Sequence, residues 1–376
     1  MGNNKEKAMI YPFDSEFAPI IRHRNLLKDY EITKLVSVNG WALVSEDSSV
    51  ADGSKTTEIE VTADFSKALS SCDTVIISDS YMKADFKKII YPKIVEAIQN
   101  NKNIVCTVKL EEKMLNDIKV MCESRKVNFS YCVCEKKYNI LNMEAVQLEK
   151  IQTPIIFVLG TGDRSGKFEI QLCLRENLMQ MGYKVSQVGS RNYCELMDFH
   201  SFPQFMYSTE ITEEEKVIYF NNFIKNIELN DNSDVIIIGI PGGIMPFNDK
   251  YTNGFGILAY EISQAVKADA AVFTTLYEDY NKEYFESIDN TIKYKFGFEI
   301  DCYNLSNIQF DWMKFENLNE RFYITLDYNF ISKKKDKLNS YKLNKPIYNI
   351  LEEKGNIDMA QYLINRLSED ENYNIV

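Results

Sequence analysis

Between residues 155 and 178 the chain passes from an apolar run into a glycine-rich turn and then into helical spacing, a succession that few folds accept. Ile155-Ile156-Phe157-Val158-Leu159 reads as a buried strand. Gly160-Thr161-Gly162-Asp163-Arg164-Ser165-Gly166-Lys167 follows, and Ile170, Leu172, Leu174 and Leu178 then mark a helix. Glycine lets the backbone curl so that consecutive N–H groups face inward, and the helix N-terminus adds its partial positive charge. Lys167 is then placed to reach a terminal phosphate as a point charge. A bare Gly-Lys pair is common; strand, turn, lysine and amphipathic helix in this order are far more specific. The plain alternative is a tight strand-to-helix turn with a surface lysine.

Around this segment the pattern is α/β throughout. Short β-branched runs alternate with helical patterns, as in parallel sheets with crossover helices. In the first half Ala8–Tyr11, Ile32–Ser37, Thr74–Ser78, Ile104–Val108 and Phe129–Cys134 read as strands, and Ala63–Leu69, Asp85–Gln99 and Glu111–Arg125 as helices. Ile89, Ile90, Ile94 and Ile98 form an apolar stripe on the second of these helices. The layout is Rossmann-like, yet Tyr11-Pro12-Phe13-Asp14 follows the first strand where a dinucleotide fold has its glycines, so a dinucleotide is not indicated. The expected organisation is a Rossmann-like domain over 1–135, a linker over 136–153, and a P-loop NTPase-like parallel-sheet domain over 154–376 with a C-terminal helical extension. In the second domain strands are expected at Lys184–Val188, Val235–Ile240 and Ala270–Thr274. Helices are expected at Gly166–Met181, Thr212–Ile227, Phe255–Val266, Asn281–Lys293, Tyr341–Ile350 and Met359–Leu367.

Composition narrows the partners. At 376 residues the chain fits two domains, and 45% apolar content with 23 Tyr and 22 Phe supplies sizeable cores. A net charge of -12 argues against sequence-independent binding to nucleic acid or an anionic membrane. The basic run Lys333-Lys334-Lys335 reads as a solvated loop. None of the eight cysteines forms a C-x-x-C pair, and several lie in apolar runs. Cys132 and Cys134, two residues apart, would point the same way from a strand; core packing is the simpler reading of them. Two histidines, His23 and His200, exclude a His-rich metal site. With no secretory segment and no membrane-length apolar run, the expected compartment is the cytoplasm, and the Lys-, Asn- and Ile-rich composition suggests a low-GC bacterial genome.

The loop spacing is one residue longer than G-x-x-x-x-G-K. As G-T-x-x-x-x-G-K it resembles the loop of the dethiobiotin synthetase and cobyrinate amidotransferase branch of P-loop proteins. It is still more similar to a family that pairs an N-terminal Rossmann-like domain with such a loop, whose members are described as N-acyltransferases acting on amino acids such as D-glutamate. Gly189-Ser190-Arg191 after the second strand and Ile238-Gly239-Ile240-Pro241-Gly242-Gly243 at the end of the third stand where those families place further ligand-contacting turns. The likeness covers most of residues 154–285. Within the group the overall pattern is most similar to proteins associated with maturation of ribosomally made peptide natural products. The resemblance thus implies a cofactor site built from Gly160–Lys167, Arg191, Gly242 and Gly243, taking ATP or a related nucleotide.

Two positions break the family pattern. Phe168 follows the lysine where Ser or Thr would bind magnesium, and Gly239 stands where an acidic residue is common. A conventional magnesium-dependent ATPase is therefore not expected. Coenzyme A, whose phosphates need amides and cations rather than metal, fits as an alternative ligand, with Arg164 and Arg191 as candidate cations. His200, Glu278 and Asp279 lie after strands where a base could sit, though a structural histidine is the simpler reading and carboxylates at a sheet edge are routine helix caps. The Arg22-His23-Arg24 cluster reads as a solvated helix start or a contact for an acidic ligand. No catalytic residue is assigned. Three roles stay open: a nucleotide-dependent accessory factor in peptide maturation, an acetyl-CoA-dependent N-acyltransferase on an amino acid or peptide, and a scaffold binding a precursor peptide or a maturation enzyme.

Overall fold

The structure, a computed structural model, describes residues 5–80, 82–133, 147–318, 320–341 and 343–373, with side chains through residue 368. By contacts the chain forms two compact units: Met1–Glu135 with Arg191–Ser201, and Lys136–Ser190 with Phe202–Val376. Residues 191–201, which chain order alone assigns to the second domain, thus belong with the first.

In the first unit the strands are β1 (Glu6–Tyr11), β2 (Tyr30–Val36), β3 (Val61–Thr62), β4 (Thr74–Ile77), β5 (Asn103–Cys106) and β6 (Phe129–Tyr131). They form one parallel sheet in the order β3-β2-β1-β4-β5-β6, that of doubly wound folds. The helices are α1 (Ala18–Arg22), α2 (Phe65–Leu69), α3 (Tyr91–Gln99) and α4 (Glu112–Arg125). Met9, Val75, Ile77 and Ile104 of the sheet meet Ile94, Ile98 and Ile118 in one apolar cluster. Ile89 leaves the expected stripe: Phe86–Ile90 winds as a π-turn, which rotates it outward to 36% exposure. At the first strand-to-helix junction Asp14 is buried, accepting hydrogen bonds from the amides of Glu16 and Met82. The Arg22-His23-Arg24 cluster ends α1 and opens a short 3-10 turn over Arg24–Leu26; His23 is buried rather than solvated, and Arg22 pairs with Asp52.

The second unit follows with β7 (Ile155–Gly160), α5 (Lys167–Gln180), β8 (Val185–Gly189), then β9 (His200–Ser201) within the segment that joins the first unit. Then come α6 (Glu213–Asp231), β10 (Val235–Gly239), α7 (Ile257–Ala265), β11 (Ala270–Thr275), α8 (Lys282–Thr291) and β12 (Cys302–Leu305). A hairpin of β13 (Ile308–Phe310) and β14 (Tyr323–Thr325) encloses α9 (Trp312–Leu318), and α10 (Tyr328–Asn339), β15 (Ile347–Tyr348) and α11 (Glu353–Tyr373) complete it. The parallel strands run β15-β12-β11-β7-β10-β8, which puts β7 centrally between β11 and β10. Strand alternation sorts its side chains: Ile155, Phe157 and Leu159 join α6, α7 and α8 on one face, while Ile156 and Val158 join α5 and α11 on the other. The glycine-rich loop therefore leaves the sheet from a fully buried central strand, at the carboxyl edge where ligands bind in open α/β folds.

Three expectations change. The linker 136–153 falls partly outside the described residues, as does Cys134. The described part is a strap on α6, pinned by Asn221 to Glu149 and by the Glu228 carboxylate to the amides of Gln152 and Thr153. The Lys333–Lys335 run is helical, within α10, where Lys334 pairs with Asp279 and Lys335 with Glu352. Among the described residues no helix covers 341–350. Pro346 cannot continue one, and Asn339 pins both backbone groups of Ile347 as that residue pairs beside Tyr303. Among the described residues no helix is long and apolar enough to cross a membrane.

Candidate functional site

Residues 161–166 connect β7 to α5. Gly166, at φ 83°, caps α5, and Arg164 takes φ 59°; the two left-handed residues turn the chain sharply into the helix. The Lys167 ammonium folds back across the loop, donating to the carbonyl oxygens of Gly162 and, at 2.7 Å, of Gly242. It thus ties the loop to the turn after β10. Among the described residues the amides of Gly162, Asp163 and Gly166 show no bond to a backbone carbonyl.

The loop is clamped from beneath. Thr274 of β11 donates its hydroxyl to the Ser165 carbonyl at 2.6 Å and accepts from Asn304 Nδ2 at 3.1 Å, and Asn304 Oδ1 receives the Ile350 amide at 3.2 Å. Ser165 donates to the Gly162 carbonyl at 2.9 Å. All three side chains are buried. A Cβ on Gly160 would lie 2.7 Å from Ser165 Oγ and from Thr274, which is why the first glycine is needed. Thr274→Val removes the hydroxyl and leaves the Ser165 carbonyl and Asn304 Nδ2 without it. The expected cost is about 1–3 kcal/mol, read by thermal unfolding, while Thr274→Ser, which keeps the hydroxyl, should lose clearly less.

Above, the loop meets the turn after β10. Asn253 Nδ2 donates to the Thr161 carbonyl at 2.6 Å and to that of Met245 at 3.2 Å. Asn253, Gly254, Phe255 and Gly256 all have positive φ, a run that L-residues rarely sustain. Lys295 holds this stretch by donating to the carbonyls of Ile244 and Phe255 at 2.9 and 2.8 Å.

The two positions that depart from a metal-binding pattern have a structural counterpart. A Cβ on Gly239 would stand 1.8 Å from Gln171 Nε2, so the buried Gln171 of α5 fills the space an acidic side chain would enter. Gln187 Nε2 contacts Gln171 Oε1 at 3.4 Å. Phe168, buried at the position after the lysine, brings no oxygen. Neither position offers magnesium the hard oxygen ligands it requires, which leaves Asp163 as the carboxylate of the loop itself, and that side chain meets Arg321.

An aromatic shelf borders the loop, and sequence reasoning missed it. Phe247 lies 3.1 Å from a Cβ built on Gly162, and it packs on Tyr251 and Trp312 with ring centroids 5.0 and 5.4 Å apart. Phe310, Phe315 and Tyr323 complete the cluster. Arg164 lies over the Tyr323 ring at 5.6 Å, and Arg321 over the Tyr251 ring at 4.5 Å while also meeting Asp163 of the loop at 3.4 Å. The only sequence signal was the aromatic density of 310–323, which no motif singles out.

The structure therefore brings together Gly160, Thr161, Gly162, Asp163, Arg164, Ser165, Gly166, Lys167, Gly242 and Gly243. Arg191 belongs to the first unit, where it forms an ion pair with Glu16, because the chain leaves the second unit just after Ser190. His200 sits in β9 of the same segment. Glu278 accepts from the Trp312 indole at 3.0 Å and Asp279 pairs with Lys334, so both carboxylates carry structural contacts. Burial pushes the thiols of Cys72 and Cys122 up to about 11 and of Cys106 and Cys132 to about 12, which suits packing rather than nucleophilic chemistry.

The fold has a close counterpart among solved structures. A crystal structure of a DUF1611 family protein from Anabaena variabilis superimposes with a TM-score of 0.62 at 9% identity, over 96% of this chain and 100% of that one. Homoserine dehydrogenase from S. aureus (TM-score 0.26, 13% identity, 34% of this chain and 33% of that one) and chloroplast FtsY from Physcomitrella patens (0.29, 11%, 76% and 90%) are similar only in part. No protein-family model matches the sequence, and no curated protein is significantly similar to it.

Proposed function

We propose that the second unit binds a phosphate-bearing ligand, ATP or a related nucleotide, at Gly160–Lys167 without magnesium. The observation that carries this reading is Lys167. Its ammonium bridges the carbonyls of Gly162 and Gly242 across the loop, where it can exchange a carbonyl for a phosphate oxygen with little movement. Loop amides without backbone acceptors, the α5 N-terminus and Arg164 add donors and positive charge around the same point. The setting we infer is cytoplasmic maturation of a ribosomally made peptide in a bacterium, with the protein as accessory factor and a precursor peptide or maturation enzyme as partner. It is supported by the overall sequence pattern, which is most similar to proteins of such systems. Phe168 and the Gly239–Gln171 pair favour a second reading, an acetyl-CoA-dependent N-acyltransferase on an amino acid or peptide, because coenzyme A phosphates are held by amides and cations alone. A scaffold without catalysis is the third.

Thermal-shift titration separates them. Saturating ATP should raise the unfolding midpoint by roughly 5–10 °C at about a hundredfold excess over Kd, equally in EDTA and in magnesium. Lys167→Ala should abolish the shift. A response to acetyl-CoA alone would transfer the site to acyl transfer, and a strictly magnesium-dependent response to ATP would overturn the metal-free reading. No response to ATP, GTP or acetyl-CoA leaves the scaffold.

A further inference from the structure

We propose that Arg321, with Arg164, supplies the positive charge a metal would otherwise bring to the loop, and that the site therefore selects ligands with two or more linked phosphates. This rests on the phosphate-loop reading and adds to it the ligand class and a binding residue no motif marks.

The donor set argues first. A polyphosphate chain carries more negative charge than one lysine balances, and P-loop proteins ordinarily add a divalent ion that bridges neighbouring phosphates. Here Phe168 lacks an oxygen and Gln171 occupies the space beside Gly239, so that charge has to come from side chains. Arg321 is a cation that the fold brings to the loop from elsewhere in the chain. It precedes β14 and lies over the Tyr251 ring, and its guanidinium meets Asp163 at 3.4 Å. Arg164 lies over Tyr323, whose hydroxyl is 3.3 Å from that of Tyr251. The two guanidinium groups thus rest on neighbouring rings of one shelf, and that shelf touches the loop through Phe247 on Gly162.

The environment suits exchange rather than permanent pairing. Arg321 and Asp163 are each about half exposed, 51% and 53%, and the contact between Nη1 and Oδ2 is long, whereas a structural Arg–carboxylate pair is short. A guanidinium stacked on an aromatic ring keeps its in-plane N–H groups available, the geometry that suits forked recognition of phosphate oxygens. The Tyr251 ring holds Arg321 beside the loop, and a phosphate that displaces the Asp163 carboxylate gains the arginine.

Calorimetric titration of the full-length chain in EDTA, with inorganic pyrophosphate and orthophosphate as probes, tests this. The wild type should bind pyrophosphate the more tightly of the two. Arg321→Gln should weaken pyrophosphate about tenfold and leave orthophosphate nearly unchanged. Arg321→Lys, which keeps the charge, should recover part of the loss. Asp163→Asn should strengthen pyrophosphate binding, because it removes the carboxylate that competes for Arg321. If Arg321 merely braces Asp163, the Gln and Asn variants will move the same way, and the proposal fails. It fails equally if Arg321→Gln leaves pyrophosphate binding intact, or if tight binding needs added magnesium. Undiminished pyrophosphate binding by Lys167→Ala would instead sink the phosphate-loop reading, with the Arg321 comparison still decisive for the shelf. A wild type that binds neither anion overturns both.

Discussion

Gly243→Ala is expected to cost the protein about 2–4 kcal/mol and to lower its unfolding midpoint by roughly 5–15 °C, although it adds one methyl group. A Cβ at this position would stand 1.6 Å from Asn253 Nδ2, 2.5 Å from its Cγ and 2.6 Å from the Thr161 carbonyl oxygen. Asn253 cannot simply swing aside, because its amide donates to Thr161 at 2.6 Å and to Met245 at 3.2 Å; rotating it away gives up both bonds. The remaining obstacle is backbone of the glycine-rich loop itself. Ligand binding should therefore fall along with stability. Gly242→Ala is the contrast. Its Cβ would meet nothing within 4 Å, so the cost comes only from φ +71°, about 1 kcal/mol. Combining Gly243→Ala with Asn253→Ala should be milder than the sum of the two, since the second change removes what the first collides with. Equal losses for Gly242→Ala and Gly243→Ala in thermal unfolding would contradict the close-approach argument.

The same turn shows what was and was not legible in the sequence. Strand, loop and helix at 155–180 could be read because three periodicities succeed one another there, apolar run, glycine spacing and helical stripe, and tertiary contacts reinforce each of them. The parallel order of the first sheet was legible in outline for the same reason, whereas β3, a two-residue strand, carries too few residues to show any period. The C-terminal third was misread where polar residues do buried work. Asn304 interrupts the short strand β12 because it serves Thr274 and Ile350, so that strand lacks an apolar signature. Tyr341, Leu343, Ile347 and Ile350 suggest a helix, but Pro346 and the Asn339 clamp impose an extended chain. At the site, the loss of metal ligands could be read at Phe168 and Gly239, yet the residue filling the gap could not. Gln171 looks like any helical glutamine until the fold sets it against Gly239. Arg321 is invisible for a similar reason, since only the β13–β14 hairpin brings it to Asp163. Arg191 could be read as a residue following a strand, but neither the change of unit one residue earlier nor its ion pair with Glu16 was legible.

Glu261→Gln is expected to make the protein more stable than the wild type at pH 9 while leaving the two similar at pH 6.5. Glu261 lies on α7, 4% exposed, against Glu213 and Lys216 of α6. Burial first, and then its hydrogen bond and charge repulsion with Glu213, push the Glu261 carboxyl up to about 8 against the weaker opposing pull of Lys216. Glu213 is held below its ordinary value by the same hydrogen bond and by Lys216, whose Nζ lies 3.1 Å away. At neutral pH the pair therefore shares one proton, with Glu261 the acid and Glu213 the carboxylate. The folded state binds the Glu261 proton more tightly than the unfolded chain does. Its contribution is fully present below the unfolded value near 4.5 and is lost as pH rises through about 8. Glu213, being depressed, acts in the opposite sense and only in acid, so it does not offset the loss in the alkaline window. Between pH 6.5 and 9 the wild type should lose about 1–2 kcal/mol on this account, a fall of roughly 2–8 °C in unfolding midpoint. Glutamine keeps an N–H donor toward Glu213 and has nothing to ionise, so its pH profile should be flatter by that amount. Parallel profiles for the two proteins from pH 6.5 to 9 would show that Glu261 is already ionised in the folded state, and that α6 and α7 are joined there without a shared proton.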